Sequence, residues 1–289
     1  MAGPLHFEAP TALQYFAALV AEDASFSVLE AAISVAQDEY PQLDAQDVLA
    51  QIDELADRLR RRIPADSPPL QRLRLVNRYF FHELGFAGNV NDYYDARNSY
   101  VPEVLRTRRG IPITLAVIYI EVATQVGLSA AGVSFPGHFL VKLRMPRGEV
   151  IIDPFSGQSL SREELDERLM PYRKQRGLVG DFDVPLGLFL QASPPRDVIA
   201  RMLRNLKEIH RTAEDWPRLL PVMQRLVILL PQAWEERRDR GLAQAELGHL
   251  AAAADDLQAY VEQCPGADDA EALRLRIGDL RRGCGPRLH

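Results

Sequence analysis

The first third of the chain carries apolar residues at helical spacing, separated by polar residues. Three such stretches lie within residues 11–62, and Asp44 stands where a side chain would cap the third. The proline-rich segment 64–69 interrupts the pattern, which resumes over residues 70–86. We therefore predict that this opening part is helical.

The next predicted element is a helix that is apolar nearly all round. It extends from Ile113 to Val126, follows Pro112, and is followed by Gly127 in the position that commonly ends a helix. Proline suits a first helical position because its φ angle is fixed near the helical value. Because no face of this helix is polar, we expect the helix and Pro112 to be buried.

Strands are predicted only after this helix. Apolar and β-branched residues mark strands at 130–135, 138–144 and 149–155. The last two are joined by the turn-forming sequence MPRG, which predicts an antiparallel hairpin.

The hairpin brings two candidate functional residues together. If residues 145–148 form a four-residue loop, Arg144 pairs with Glu149, and His138 lies diagonal to Asp153 on one face of the sheet. Such diagonal neighbours are about 7 to 8 Å apart, within reach of long side chains. A register error of one residue would place the two side chains on opposite faces.

Helical patterning returns in the last third of the chain. A short acidic helix is predicted over residues 161–170, and ASPPRD at 192–197 is typical of a linker. Farther on, Pro231 and Pro265 are separated by the period of a tetratricopeptide repeat. The second repeat also has residues suited to a tight helix approach, a turn, a small packing position and a core position: Gly241, Gly248, Ala253 and Leu257. We predict two repeats and an end helix.

Composition and charge limit the classes of function. Of 289 residues, 47% are hydrophobic and 26% are charged, as in a soluble globular protein. The formal net charge of -6 argues against a nucleic-acid partner. The basic runs at 58–63 and 106–110 favour solvated helix faces over a binding patch.

Targeting and cysteine patterns point to an intracellular protein. No stretch approaches the roughly 18 apolar residues that span a bilayer, and no secretory signal is visible. The spacing of Cys264 and Cys284 fits neither a disulfide framework nor a zinc site. We expect a cytoplasmic protein with free thiols, no cofactor and no metal.

Familiar catalytic motifs are missing from the sequence. HELGF at 82–86 begins like a zinc-protease helix, but Phe86 stands where the second histidine would be. A P-loop, a dinucleotide-binding glycine motif and a nucleophile elbow are all absent. The polar segment 89–100 predicts a hydrogen-bonded loop, in which Arg97, Asn98 and Tyr100 are candidate groove residues.

Three segments together resemble a known family. They contain RRGIPITL, PGHFLV and IDPF, a specific combination within residues 86–160. These segments resemble the SirB group of transglutaminase-like, papain-related proteins, which also carry a tetratricopeptide C-terminal region. The resemblance implies an α+β fold: a transglutaminase-like domain with a helical N-terminal part and a small antiparallel sheet, then all-α repeats. We place the first domain at residues 1–192 and the repeat domain at residues 193–289.

The resemblance also implies the position of a site. In that fold a cysteine opens the buried helix, and a histidine and an aspartate lie on adjacent strands, so that the thiol pKa is lowered. His138 and Asp153 correspond to the pair, whereas Pro112 occupies the nucleophile position, as it does in the SirB group. Thr114 lies about 200° round the helix from Pro112 and would point away from the pair. Pro112 and Thr114 complete the candidate groove residues.

Three hypotheses for the function remain open. The first is a protein- or peptide-binding regulatory or scaffold protein whose groove lacks the cysteine. The alternative is an amide or peptide hydrolase, or a transferase, in which His138 and Asp153 act without a thiol, a contribution of about 10² to 10⁴ in rate. In the third hypothesis the repeat region is the functional part, and its apolar stripe at 219–231 is the surface that binds a partner. We expect a protein or peptide partner, no nucleic acid and no membrane, and leave homo-oligomerisation open.

Overall fold

The computed structural model describes residues 10–22, 26–178 and 184–283, so Cys284 lies outside the described residues. The described residues form two compact units. One unit takes its residues from Met1–Asp23, Gln37–Pro41 and Leu203–His289, and the other from Ala24–Ala36 and Gln42–Met202.

The secondary structure is mainly helical, with small sheets. In chain order the helices are α1 (Ala12–Leu19), α2 (Val28–Ser34), α3 (Ala45–Arg60), α4 (Pro69–Asn77), α5 (Val101–Thr107), α6 (Pro112–Gln125), α7 (Arg162–Arg176), α8 (Leu186–Phe189), α9 (Pro195–Thr212), α10 (Trp216–Leu229), α11 (Trp234–Glu246), α12 (Leu250–Gln263) and α13 (Ala270–Gly283). The strands are β1 (Ala87–Gly88), β2 (Arg109–Gly110), β3 (Ser129–Val133), β4 (Leu140–Met145), β5 (Gly148–Asp153) and β6 (Gln158–Leu160). The predicted α+β fold is confirmed.

Helix α3 follows the predicted pattern. The Asp44 carboxylate accepts a hydrogen bond from the amide of Gln46 at 2.8 Å, which caps the helix as expected. The buried residues recur at helical spacing, with Val48, Ile52 and Leu59 on the inner face. This face packs against α6.

Helix α4 continues directly into a π-helical segment, Arg78–Glu83, where the sequence predicted a regular helix. Within it, Phe80 stacks on Phe86 at 4.3 Å between ring centroids, and Phe81 stacks on Tyr119 of α6 at 5.5 Å. The wider helical turn shifts the side-chain spacing away from the α-helical period, so a pattern based on that period does not reveal it.

Helix α6 is buried at every residue from Pro112 to Tyr119, as predicted. Its C-terminal carbonyls are bound by arginines: Arg60 donates to Gln125 O at 3.0 Å and Arg72 to Val126 O at 3.1 Å. The basic run at 58–63 therefore contributes to the packing around a helix end, in addition to surface ion pairs.

The main sheet is antiparallel with strand order β3-β4-β5-β6. Arg144 pairs with Glu149, so the predicted register is confirmed. The predicted four-residue loop is wrong, because Met145 and Gly148 also pair and leave a two-residue turn. Gly148 permits this tight turn with a φ of 130°, a value open mainly to glycine. Strand β6 and the short parallel pair β1–β2 were not predicted.

Two helix boundaries differ from the predicted ones. Helix α7 continues past Pro171 to Arg176, although a proline commonly ends a helix. Helix α9 begins at Pro195, inside the predicted linker 192–197.

The helices α10 to α13 follow one another as packed neighbours, as a tetratricopeptide repeat requires. A Cβ at Gly241 would lie 3.0 Å from the Leu257 side chain, so α11 and α12 approach closely there. Gly248, with a φ of 75°, forms the turn between them, and Ala253 and Leu257 are fully buried. The roles predicted for these four residues are confirmed.

Candidate functional site

His138 and Asp153 form a direct hydrogen bond. Nε2 of His138 lies 2.7 Å from Oδ1 of Asp153. His138 is in the turn before β4, where its amide donates to Phe135 O at 3.0 Å, and Asp153 ends β5. The Asp153 side chain is 5% exposed and the His138 side chain 23%, so one edge of the pair is open to solvent.

Asp153 accepts two further hydrogen bonds. The Phe155 amide donates to Oδ1 at 2.9 Å, and Nη1 of Arg168 donates to Oδ2 at 3.1 Å. Burial by itself would raise the pKa of Asp153, but these bonds and the interaction with His138 outweigh it and hold that pKa well below its usual range.

The ionised Asp153 fixes the proton position on His138. A carboxylate can only accept hydrogen bonds, so Nε2 of His138 must be the donor. In the neutral imidazole the lone pair is then on Nδ1. The pair can therefore present Nδ1 as a base or as a hydrogen-bond acceptor.

The backbone connects this pair to the start of α6. The Gly88 amide donates to Phe155 O at 2.9 Å, and Gly88 of β1 pairs with Gly110 of β2. A Cβ at Gly88 would lie 2.3 Å from the Phe155 ring, so only glycine allows this approach. Pro112 opens α6 two residues after Gly110.

The start of α6 carries no cysteine. Pro112 is buried at the first helical turn and has neither a thiol nor a hydroxyl. Thr114 is 0% exposed, and its Oγ1 has no hydrogen-bond partner among the described residues.

The polar loop 89–100 is organised by Asn98, which is 3% exposed. Its Nδ2 donates to Asp92 O at 2.6 Å and to Tyr93 O at 3.2 Å, and its Oδ1 accepts from Asn89. Asn98 and Tyr100 are buried, whereas Arg97 is exposed and binds Asp95. The buried Asn98 side chain therefore holds the backbone of the loop in place, whereas the guanidinium of Arg97 is exposed to solvent.

Two arginines next to the pair were missed by sequence reasoning. Arg168 of α7 binds Asp153 directly. Nη2 of Arg201, in α9, donates to His138 O at 2.8 Å, and Nη1 donates to Phe135 O at 3.3 Å. Each arginine is one of several on an amphipathic helix, so no sequence signal distinguishes it from its neighbours.

In the part of the chain that the structure describes, no group of three or more potential metal ligands occurs. None of the described helices has the length and apolarity needed to cross a membrane.

Residues 46–204 match the family model described as the transglutaminase-like superfamily. The match covers more than half of the chain and includes Pro112, His138 and Asp153. The chain belongs to the transglutaminase-like superfamily. Residues 206–278 match the model of the tetratricopeptide repeat. The transglutaminase-like part therefore holds the His138–Asp153 pair, and repeats follow it.

Relatives of this transglutaminase-like chain are found in several bacteria. A UPF0162 protein of Xylella fastidiosa (strain 9a5c) is 39% identical over 260 residues, which cover 90% of this chain and 92% of that protein. The UPF0162 protein of Vibrio cholerae is 29% identical over 220 residues, 75% of this chain and 79% of that protein. The UPF0162 protein YchA of Escherichia coli K12 is 28% identical over 240 residues, 82% of this chain and 86% of that protein. No solved structure matches the chain.

Proposed function

We propose that the chain is a protein- or peptide-binding regulatory or scaffold protein whose transglutaminase-like groove lacks the nucleophile. The observation that carries this proposal is the buried Pro112 at the start of α6, where a cysteine would have to stand. A thiol mechanism is not available without that residue. The retained His138–Asp153 pair, with Nδ1 as acceptor and a partly exposed ring, can still recognise a polar group.

The proposal includes finer assignments that rest on the sequence. We assign the chain to the SirB group, place it in the cytoplasm of a bacterium, and give it a regulatory role. We also propose a domain boundary between residues 192 and 193. The repeats support the binding role, because repeat proteins generally present extended binding surfaces.

A hydrolase or transferase that works without a thiol is the second candidate. The 2.7 Å contact between His138 and Asp153 favours it, because an oriented imidazole whose Nδ1 accepts no hydrogen bond from the described residues is a competent general base. Such an enzyme would act on water or on a nucleophile carried by the substrate.

A capture experiment tests the binding function. Extract of cells that contain the protein is passed over immobilised wild type, His138→Ala and His249→Ala. His249 is an exposed histidine of the repeat region and serves as the matched control. We expect partners that wild type and His249→Ala retain and His138→Ala loses, with all three equally folded by thermal melting. If wild type and both variants capture the same partners, the groove does not take part in binding them.

A peptide-cleavage assay tests the second candidate. The purified chain is incubated with a defined mixture of synthetic peptides, and products are identified by mass spectrometry. Products formed by wild type and by iodoacetamide-treated protein, but not by His138→Ala, would establish a thiol-independent enzyme and contradict the binding proposal.

A further inference from the structure

A row of four rings leads from the polar loop to the His138–Asp153 pair. The ring centroids are 5.3 Å apart between Tyr94 and Tyr93, 5.8 Å between Tyr93 and Phe155, and 6.4 Å between Phe155 and His138. Tyr94 is 79% exposed and Tyr93 is 42% exposed. We call Tyr94, Tyr93, Phe155 and His138 the aromatic row.

The exposure of the row is built into the fold. Buried Asn98 binds the carbonyls of Asp92 and Tyr93, so the backbone beneath the two tyrosines is held in place. Val90, on the same loop, is 79% exposed as well. Large apolar side chains grouped on a surface mark interaction sites, and a preorganised surface loses little entropy on binding.

Arg201 supplies a cation beside the row. Its two Nη atoms donate to the neutral carbonyls of Phe135 and His138, and among the described residues no carboxylate lies within ion-pair distance of it. Burial and the neighbouring Tyr94 raise the pKa of Tyr93, and the positive charge of Arg201 opposes that rise. Arg201 is partly exposed, so a ligand can reach it.

We propose that the aromatic row and Arg201 bind an extended segment of a partner protein in which a glutamate or aspartate adjoins an aromatic or aliphatic residue. Arg201 neutralises the carboxylate, and the row packs against the apolar side chain. This inference rests on the proposed binding function and gives that function a ligand chemistry.

Titration with matched peptides tests the ligand chemistry. The probes are acetyl-Gly-Glu-Phe-Glu-Gly-amide and its counterparts with glutamine or lysine in place of glutamate, added to the full ¹⁵N-labelled chain. We expect the glutamate peptide to shift the amide signals of residues 90–95, His138 and Phe155. We also expect it to bind roughly five-fold more tightly than the glutamine peptide, a typical gain for one partly exposed charge pair.

Variants separate the charge from the rings. Arg201→Met should reduce the affinity for the glutamate peptide to the affinity for the glutamine peptide. Arg147→Met, which removes an exposed arginine from the β4–β5 turn, should leave the preference unchanged. Tyr94→Ala should lower the affinity for every peptide that binds and leave the order of their affinities unchanged. If Arg201→Met does not fold, Arg201→Lys is used, and a reduced but remaining preference for glutamate is expected.

Four results would overturn the inference: equal binding of the glutamate and glutamine peptides, tighter binding of the lysine peptide, binding of none of them, or a preference that survives Arg201→Met. Each concerns only the ligand chemistry. The capture experiment with His138→Ala decides separately whether the chain is a binding protein, so a failure of the ligand chemistry can be distinguished from a failure of the binding function.

Discussion

Asp153 combines deep burial with three hydrogen bonds to two oxygens. His138 and the Phe155 amide share Oδ1, and Arg168 binds Oδ2. A buried carboxylate is stable only when such partners replace its lost hydration. The same bonds determine which nitrogen of His138 carries a proton, so one residue sets both the stability and the chemistry of the site.

Asp153→Asn should lower the free energy of unfolding by about 1–3 kcal/mol at neutral pH, because the amide cannot satisfy the same three donors. The pKa of Asp153 is lower in the folded than in the unfolded state, so its stabilisation is present above the unfolded value of about 3.9. That stabilisation is lost as the pH falls from there through the folded pKa.

Urea unfolding at several pH values measures this difference. The difference in unfolding free energy between wild type and Asp153→Asn should be constant near neutral pH and become smaller in acid. Asp66→Asn, at an exposed carboxylate, is the control and should differ little from wild type. A gap that grows in acid would contradict the assignment.

Gly88→Ala should disturb the site through packing. The new methyl group would meet the Phe155 ring at 2.3 Å, and such overpacking typically costs about 1–3 kcal/mol. A Cβ at Gly187 has no atom within 4 Å, so Gly187→Ala should leave the melting temperature unchanged or slightly raised. Equal melting temperatures for the two variants would mean that the ring moves aside freely.

Among the elements, α6 has the strongest constraints. Its first eight residues are all buried, and its last carbonyls need donors that the helix itself does not supply. Arg60 and Arg72 provide them, and their positive charges also suit the negative end of the helix. The helix is therefore fixed at its C-terminal end by charged groups from the segment before it.

Arg72→Met should be destabilising by about 2 kcal/mol or more. The side chain donates to the carbonyls of Val126, Ser67 and Ala65, and its loss leaves part-buried acceptors without partners. Arg74→Met, two residues along α4 at an exposed position, is the matched control and should change stability by about 0.5 kcal/mol or less. Chemical denaturation of both variants gives the comparison.

At the scale of the whole molecule, the compact units draw on separate stretches of the chain. In the unit that contains the repeats, α10 is joined to the 37–41 segment by two ion pairs. Arg225, 1% exposed, binds Asp38, and Arg218, 56% exposed, binds Glu39. The two carboxylates are similarly exposed, but the two arginines differ greatly in exposure, so the pairs should differ in their contribution to stability.

Arg225→Met should lower the free energy of unfolding by about 2–3 kcal/mol, because it leaves Asp38 without the cation that faces it. Arg218→Met should cost less, since solvent screens exposed pairs. Burial already raises the pKa of Asp38, and removing Arg225 raises it further.

The pH dependence gives a second test of this pair. In Arg225→Met the folded state binds the Asp38 proton more readily than the unfolded state, so acid should restore part of the lost stability. Equal losses for both variants at every pH would show that burial does not distinguish the two pairs.

The sequence by itself determined the features that arise from local geometry. Strand alternation and turn residues define the register of the hairpin, so the proximity of His138 and Asp153 could be predicted from the sequence. The predicted strand at 138–144 began too early, because β4 starts at Leu140 and His138 lies in the turn before it. Helical spacing revealed α3 and α6, and the repeat period located Gly241 and its partners. That Pro112 occupies the nucleophile position follows from the family resemblance and stays a prediction.

Only the tertiary structure decided what meets the pair. Arg201 comes from a helix far along the chain from His138, and Phe155 contacts Gly88 across a similarly long interval. Arg168 lies nearer in the chain, but only the packing of α7 against the sheet brings it to Asp153. Periodicity shows which face of an element is buried, but not which distant segment packs against it or which surface arginine lies nearby. The aromatic row and its cation depend on those choices, because they form only where separate elements converge.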